Sequence, residues 1–350
     1  MAESFTSKLD AIHKRLNATM VNVSNWSMPA YYKDGAAQEV LHTRNFASIF
    51  DSSYLSKYRI SGTAVPEILE EIMVFSTSNL KVQDVQKNYT LTEDGTCLEE
   101  WQIIKMAEND FLLIGSSGSA DSVADFLSDV VEDYPEDPEI LDIANLTGVF
   151  AQISIWGSKV KDVFNKLKID LTLLPSLGSS ARFEIGMVGC IVIPANVNGL
   201  EGFELICNVL KSETLWENLL SIPEVKPAGV KAKDILRIEM GIPRCSREYS
   251  TARTLEDSGV AIDEESILSS KLIGIKFFDS CSLKPNSTIQ DSDATPIGVI
   301  TSFEVSPSLN TTIALGFIDI EVGIASGDAV VIKSGQGLLK ATIVDLPFVK

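Results

Sequence analysis

Ile60-Ser-Gly62-Thr63-Ala-Val65-Pro-Glu67-Ile68-Leu69 returns 95 residues later as Ile155-Trp-Gly157-Ser158-Lys-Val160-Lys-Asp162-Val163-Phe164. Each copy reads as the end of a strand, a glycine turn, a hydroxyl residue placed to accept the first free helix amides, and a helix. A weaker echo follows both. Phe111-Leu-Leu-Ile-Gly115 leads into a helix carrying Val123, Phe126, Leu127 and Val130, and Phe203-Glu-Leu-Ile-Cys-Asn-Val-Leu210 leads into one carrying Leu215, Trp216, Leu219 and Leu220. Apolar spacings of three and four put each set on one helix face. With the strand-like runs Trp101 to Met106 and Cys190 to Ile193 between the helices, each half reads β-α-β-β-α-β. Two ferredoxin-like lobes follow from the duplication.

The texture changes after about residue 250. Lys271 to Phe278, Ile297 to Phe303, Thr312 to Ile320, Ala329 to Lys333 and Leu338 to Val344 are short β-rich runs separated by Gly, Pro, Ser, Asn and Asp, as in an antiparallel barrel or sandwich. The predicted fold class is α+β: two ferredoxin-like lobes and a C-terminal antiparallel β-barrel. The expected domains are residues 1–57 with 146–250, residues 58–145, and residues 251–350. The acidic stretch Asp129 to Asp142, with Pro135 and Pro138, reads as a solvated connection between the halves.

Composition narrows the function. The 350 residues carry a net charge of −19, a mean field that repels phosphate backbones and anionic membrane surfaces. No nucleic-acid or membrane partner is expected. The first residues, MAESFTSKLDAIHKRL, have the pattern of a charged helix without a continuous apolar core, so a cytoplasmic location is expected. The seven Asn-x-Ser/Thr triplets, starting at Asn17, Asn22, Asn25, Asn88, Asn145, Asn286 and Asn310, then read as chance. Two histidines and five cysteines without a CxxC pair disfavour zinc, iron–sulfur and Ser-His-Asp chemistry. His13 is expected at the surface and His42 in a structural role. Gly115-Ser-Ser-Gly118 lies where phosphate loops occur but lacks their glycine and lysine spacing, and reads as a turn.

Carboxylates remain as the available polar chemistry. Glu99 and Glu100 follow the turn Glu93-Asp94-Gly95 and open an apolar strand, where alternation sends them to opposite faces. Glu204 sits inside the apolar run Phe203 to Leu210. Read on their own, both sites favour exposed strand glutamates, with at most one of Glu99 and Glu100 pointing into a domain interior. A glutamate turned inward would need hydrogen-bond donors.

A collinear set of motifs resembles the glycine-cleavage T-protein (aminomethyltransferase) family. Asn25-Trp-Ser-Met28-Pro29-Ala-Tyr31-Tyr32 is similar to its G-W-x-M-P-x-x-Y element, and Phe50-Asp51-Ser-Ser53-Tyr54-Leu55 to F-D-V-S-H-M. Glu93-Asp-Gly95-Thr-Cys-Leu-Glu99-Glu100 resembles N-E-x-G-G-I-x-D-D, and Gly199-Leu-Glu-Gly202-Phe203-Glu204-Leu205 resembles G-E-D-G-F-E-L. Lys226-Pro-Ala-Gly229 through Ala232-Lys233-Asp234 to Arg237-Ile-Glu239 resembles K-P-x-G-L-x-A-R-D-x-x-R-L-E. Gly298-Val-Ile-Thr301-Ser302-Phe-Glu-Val-Ser306-Pro307-Ser-Leu309 resembles G-x-x-T-S-G-x-F-S-P-T-L.

The resemblance implies three lobes around a folate channel and transfer of a one-carbon unit to tetrahydrofolate from a lipoyl carrier resembling H-protein. It implies that Glu204 binds the pterin, by two parallel hydrogen bonds, and that Glu100 is the catalytic carboxylate beside the reacting nitrogens. Leu55, Lys233, Arg237, Tyr89 and Val197 are the further folate-binding positions, and Lys284 and Lys350 are candidate contacts for a glutamate tail. The departures matter as much. Lys87 and Val197 stand where the pattern has tyrosines, Lys233 replaces an arginine, Glu100 replaces an aspartate, and the helix that follows the Arg237 block in the family is missing. These leave two alternatives open: a non-catalytic folate-binding protein, and a tetrahydrofolate-dependent demethylase with another methyl donor. The K-G-C-x-G-Q-E signature of iron–sulfur-assembly relatives is absent.

Overall fold

A computed structural model describes residues 4–116, 120–195, 200–245, 247–249, 253–263, 265–335 and 337–349. The chain divides into two compact units, one comprising Met1–Leu91 with Leu98–Lys233, the other Thr92–Cys97 with Asp234–Lys350.

The duplication organises the first unit. Strand Ser56–Ser61 pairs antiparallel with Asp110–Gly115, which pairs with Cys97–Ala107 and through it with Val85–Leu91. Strand Phe150–Trp156 pairs in the same way with Gly202–Asn208, then Val188–Pro194, then Ala181–Ile185. Each half therefore carries one antiparallel edge strand beyond the β-α-β-β-α-β pattern. The second sheet is extended on its other side by Ala47–Asp51 and Val225–Pro227. Beside them stands a three-stranded sheet of Phe5–Thr6, Trp26–Tyr31 and Thr19–Val23.

The two repeat glycines have a common physical reason. Gly62 has φ +132° and Gly157 φ +148°, and a Cβ on either would fall 2.2 Å from the Ile140 carbonyl oxygen or 2.1 Å from that of Phe46. Side-chain capping by Thr63 and Ser158, expected from the sequence, does not occur. The helices Val65–Ile72 and Val160–Lys166 have Ala64 and Lys159 at their N-caps and no side-chain cap. Backbone carbonyls take the hydroxyls' place, Ile140 O accepting from Ala64 N and Phe46 O from Lys159 N. That close approach is what excludes a side chain at the glycines.

Strand alternation then sorts the core. In the second sheet Ala151, Ile153, Ile155, Phe203, Leu205 and Cys207 face its helices; in the first, Tyr58, Ile60, Trp101, Ile103, Phe111 and Leu113 do so. The opposite faces meet through Ile104, Leu112 and Ile114 of one sheet and Ile193 and Ile206 of the other. The acidic stretch is split: Asp129–Glu132 completes the helix Ala120–Glu132, and Asp142 opens the strand Asp142–Asn145.

In the second unit, six antiparallel strands close a barrel in the order Ser270–Phe277, Thr311–Asp319, Pro296–Ser306, Thr288–Gln290, Ala329–Ser334 and Gly337–Val344. Five were legible as β-rich runs. Thr288–Gln290 is three residues long and holds one strongly apolar side chain, Ile289, too little to signal a strand.

Candidate functional site

The inter-sheet face of the first unit collects the polar side chains. Because Ile153 and Ile155 face the helices, Gln152, Ser154 and Trp156 turn the other way, and Ser154 stands directly opposite Glu204. Glu204 is 8 % exposed. Its Oε2 accepts Gln152 Nε2 at 2.8 Å and Ser154 Oγ at 2.6 Å, while Trp156 Nε1 reaches Oε1 at 3.4 Å. A carboxylate oxygen accepts about two hydrogen bonds, so Oε2 is filled by the protein and Oε1 retains capacity. Gln152, 2 % exposed, holds an Oε1 that meets no donor among the described residues.

Lys233, on the helix Val230–Glu239, donates to Ser52 Oγ at 2.7 Å and Ser154 Oγ at 2.8 Å and lies 4.8 Å from the Trp156 ring centre. An ammonium only donates, so both hydroxyls accept from it; Ser154 passes its proton to Glu204, and Ser52, 2.7 Å away, donates to Ser154. Lysine and glutamate are thereby coupled through one hydroxyl. Burial lowers the Lys233 pKa, against the opposing charges of Glu204 and Asp51.

Lys57 was not picked out by sequence reasoning. It is fully buried, its Nζ donating to the Leu55 carbonyl at 2.8 Å and the Ser53 carbonyl at 3.4 Å. Burial pulls its pKa down to about 7, with Asp51 and Glu204 resisting and Lys233 adding to the fall. The available signal was alternation: Tyr58 and Ile60 mark the helix-facing side of that strand, which sends Lys57 to the other. Asp51 is also buried. It accepts Ser7 Oγ at 2.5 Å, His13 Nε2 at 3.0 Å and Ser53 N at 2.9 Å, and His13 Nδ1 meets the Tyr32 hydroxyl at 2.8 Å. Burial works to raise the Asp51 pKa, but these hydrogen bonds outweigh it and hold the carboxyl below its ordinary value. His13, expected at the surface, is fully buried, because its ring bridges Asp51 and Tyr32 and packs edge-on to Trp216. His42 is in the structural role expected, stacked on Phe46 and bonded to the Glu224 carbonyl.

Of the glutamate pair, Glu99 is the fully buried member. It accepts Ser116 N and Oγ and the Glu100 amide on the helix-facing side, where Trp101 lies. Alternation puts Glu100 on the inter-sheet side, half-buried, with Lys87 Nζ 2.9 Å from its Oε1. The same Lys87 lies 5.4 Å from the ring centre of buried Tyr89, whose ring packs edge-on against Phe75. Leu55 packs at the margin of the inter-sheet core. Arg237 belongs to the second unit. Its guanidinium donates to Asp234 at 2.5 Å, Glu248 and the Ile242 carbonyl at 3.2 Å each, and Ser302 at 2.7 Å. Val197, Lys350 and Gly118 of the glycine-serine turn lie outside the described residues. Among the described residues no group of three or more His, Cys, Asp or Glu side chains could hold a metal ion, and no helix is long and apolar enough to cross a membrane.

Fold and site define a class: a duplicated α+β unit whose two sheets enclose buried carboxylates, Asp51 and Glu204, with the lysines Lys57 and Lys233 beside them, and an antiparallel barrel unit in the same chain. Residues 9–262 match the family model of the GCVT N-terminal domain, and residues 271–350 that of the glycine cleavage T-protein C-terminal barrel domain. The chain belongs to the glycine cleavage T-protein family. Its similarity to curated relatives runs end to end. It is 26 % identical to an aminomethyltransferase of Corynebacterium aurimucosum, over 100 % of this chain and 99 % of the relative. It is also 26 % identical to the mitochondrial aminomethyltransferase of Gallus gallus, over 97 % and 91 %. The crystal structure of glycine cleavage system aminomethyltransferase T from Bartonella henselae shares the fold, with a TM-score of 0.86 at 21 % identity over 99 % of this chain and 98 % of that one.

Proposed function

We propose that this chain is a tetrahydrofolate-dependent one-carbon transferase of the aminomethyltransferase type, active in the cytoplasm with a lipoyl carrier resembling H-protein. One observation carries the reading. Glu204, at the family's G-F-E-L position, is a buried carboxylate with an oxygen free to accept. Its Oε2 is filled by Gln152 and Ser154, while Oε1 meets the Trp156 ring nitrogen at 3.4 Å and keeps acceptor capacity, which a donor of a 2-amino-4-oxo pteridine edge would take up. Tetrahydrofolate supplies the nucleophilic nitrogen that takes up the one-carbon unit. Glu204 fits the head group, Leu55 and Tyr89 supply apolar walls, and Glu100 is the carboxylate assigned to the reacting nitrogens. Lys233, acting through Ser154, holds the Glu204 carboxylate in its orientation.

Saturating tetrahydrofolate, at about 100 times Kd, is expected to raise the melting temperature by about 5–10 °C, and Glu204→Ala to abolish the shift. Glu100→Gln is expected to keep the shift and lose transfer from an aminomethyl-lipoyl carrier. No stabilisation of the wild type would end the reading.

The non-catalytic alternative has one observation in its favour. Lys87 occupies the family's tyrosine position and pairs with Glu100, tying up the carboxylate needed for transfer. Binding without turnover in the wild type, and turnover gained in Lys87→Tyr, would select it.

A further inference from the structure

Two cysteines that stand 148 positions apart in the chain meet inside the second unit. Cys97 Sγ lies 3.9 Å from Cys245 Sγ, and both are buried free thiols. A disulfide needs the sulfurs at about 2.0 Å, so each has roughly 1 Å to travel, within reach of small rotations about the two Cα–Cβ bonds. Cys97 ends the stretch Thr92–Cys97 that belongs to the second unit, and it opens the strand Cys97–Ala107 that carries Glu100. That stretch is already pinned by backbone: Thr96 bridges Thr254, and Gly95 O accepts Leu255 N at 3.3 Å. Cys245 lies beyond the helix Val230–Glu239 and bridges Tyr249. Both cysteines therefore sit on segments whose backbones are held in place.

A second pair, Cys190 and Cys207, stands directly opposite on neighbouring strands, but in the helix-facing core. Burial there pushes the thiols up to about 12 and about 11, and Cys190 Sγ donates to Val188 O at 3.4 Å. Exchange requires a thiolate, so this pair stays reduced.

We propose that Cys97 and Cys245 are a redox-active pair that closes to an intramolecular disulfide by exchange with a low-molecular-weight disulfide such as oxidised glutathione. One thiolate attacks a glutathione sulfur, forming a mixed disulfide and releasing one glutathione. The other thiolate attacks the protein sulfur of that bond and releases the second. Two protein thiols and one oxidised glutathione become one protein disulfide and two reduced glutathiones. The bond ties the turn ahead of Glu100 to the chain that follows the Arg237 helix, and it stands independently of the folate reading. A reducing compartment keeps the pair open, and an oxidising challenge closes it.

The test equilibrates the full-length protein anaerobically in glutathione buffers of graded redox poise, then quenches with acid and alkylates in denaturant. In oxidising buffer the wild type is expected to lose two of its five thiols and to weigh two hydrogen atoms less, with non-reducing peptide mapping placing the link between Cys97 and Cys245. Dithiothreitol should restore all five. Cys97→Ala and Cys245→Ala are each expected to form no internal link, and the wild-type map stands without them should either fail to fold. Refolding the reduced, denatured chain in the same buffers removes burial as a barrier, and the Cys97–Cys245 link formed by either route supports the proposal. Five free thiols by both routes overturn it. So does a link between Cys190 and Cys207 in place of the expected one, or glutathione retained on Cys97 or Cys245 without an internal link.

Discussion

At the scale of single residues the site is governed by desolvation. Lys57 has no solvent exposure and, among the described residues, no carboxylate at hydrogen-bond distance and two carbonyls as its partners. Its folded pKa of about 7 lies below the ordinary 10.5, so between those values the unfolded chain holds the extra proton. Stability should therefore rise with pH across that window, and the cost of burying the ammonium, up to roughly 5 kcal/mol, is fully present below about pH 7. Lys57→Met removes the proton-binding group and keeps the packing. Urea unfolding between pH 6 and 10 is expected to show the variant more stable at low pH and with a flatter profile. Parallel curves for the two proteins would show that Lys57 keeps its charge on folding. None of this was readable from composition, since an isolated lysine in an alternating strand is ordinarily solvated. Glu204 was legible as a candidate because it interrupts an apolar run. Whether it faced water was not.

At the scale of elements the repeat was the strongest signal, and it held where it rested on backbone geometry. The two glycines sit at positive φ against carbonyl oxygens about 2 Å from where a Cβ would stand. Gly157→Ala is expected to lower stability by roughly 2–4 kcal/mol, because the chain must separate the Phe46 carbonyl from the helix start that it caps. A thermal scan showing less than about 1 kcal/mol would mean the turn relaxes freely. The hydroxyls beside the glycines misled for a related reason. Ser or Thr before a helix signals a cap only when the helix amides have no closer acceptor, and here a neighbouring backbone segment supplies one. Alternation correctly divided Glu99 from Glu100, but it could not tell which face was the core.

At the scale of the whole molecule the division of labour falls between Lys233 and Asp234, inside one helix. Lys233 works within the first unit and Arg237 within the second, although one motif holds both. Arg237 neutralises Glu248, which is fully buried, so Arg237→Met should destabilise the second unit by about 3–5 kcal/mol by leaving that charge alone. Tetrahydrofolate affinity measured well below the melting transition is expected to change less than two-fold. The opposite result, an unchanged transition with weakened affinity, would return Arg237 to the folate-binding role that the resemblance implies.

The sequence by itself determined the duplication, the α+β class and the β-rich C-terminal region, because these are written in local spacing: glycines before helices, three-and-four apolar steps, alternating strands; the family came from the collinear motifs that resemble the T-protein pattern. Only the tertiary structure decided the chemistry of the centre. Glu204 meets Gln152 across 52 positions of chain and Lys233 meets Ser52 across 181. Sheet register and helix docking create those neighbours, and they alone fix which lone pairs are filled, which ammonium is dry, and which oxygen is left to accept.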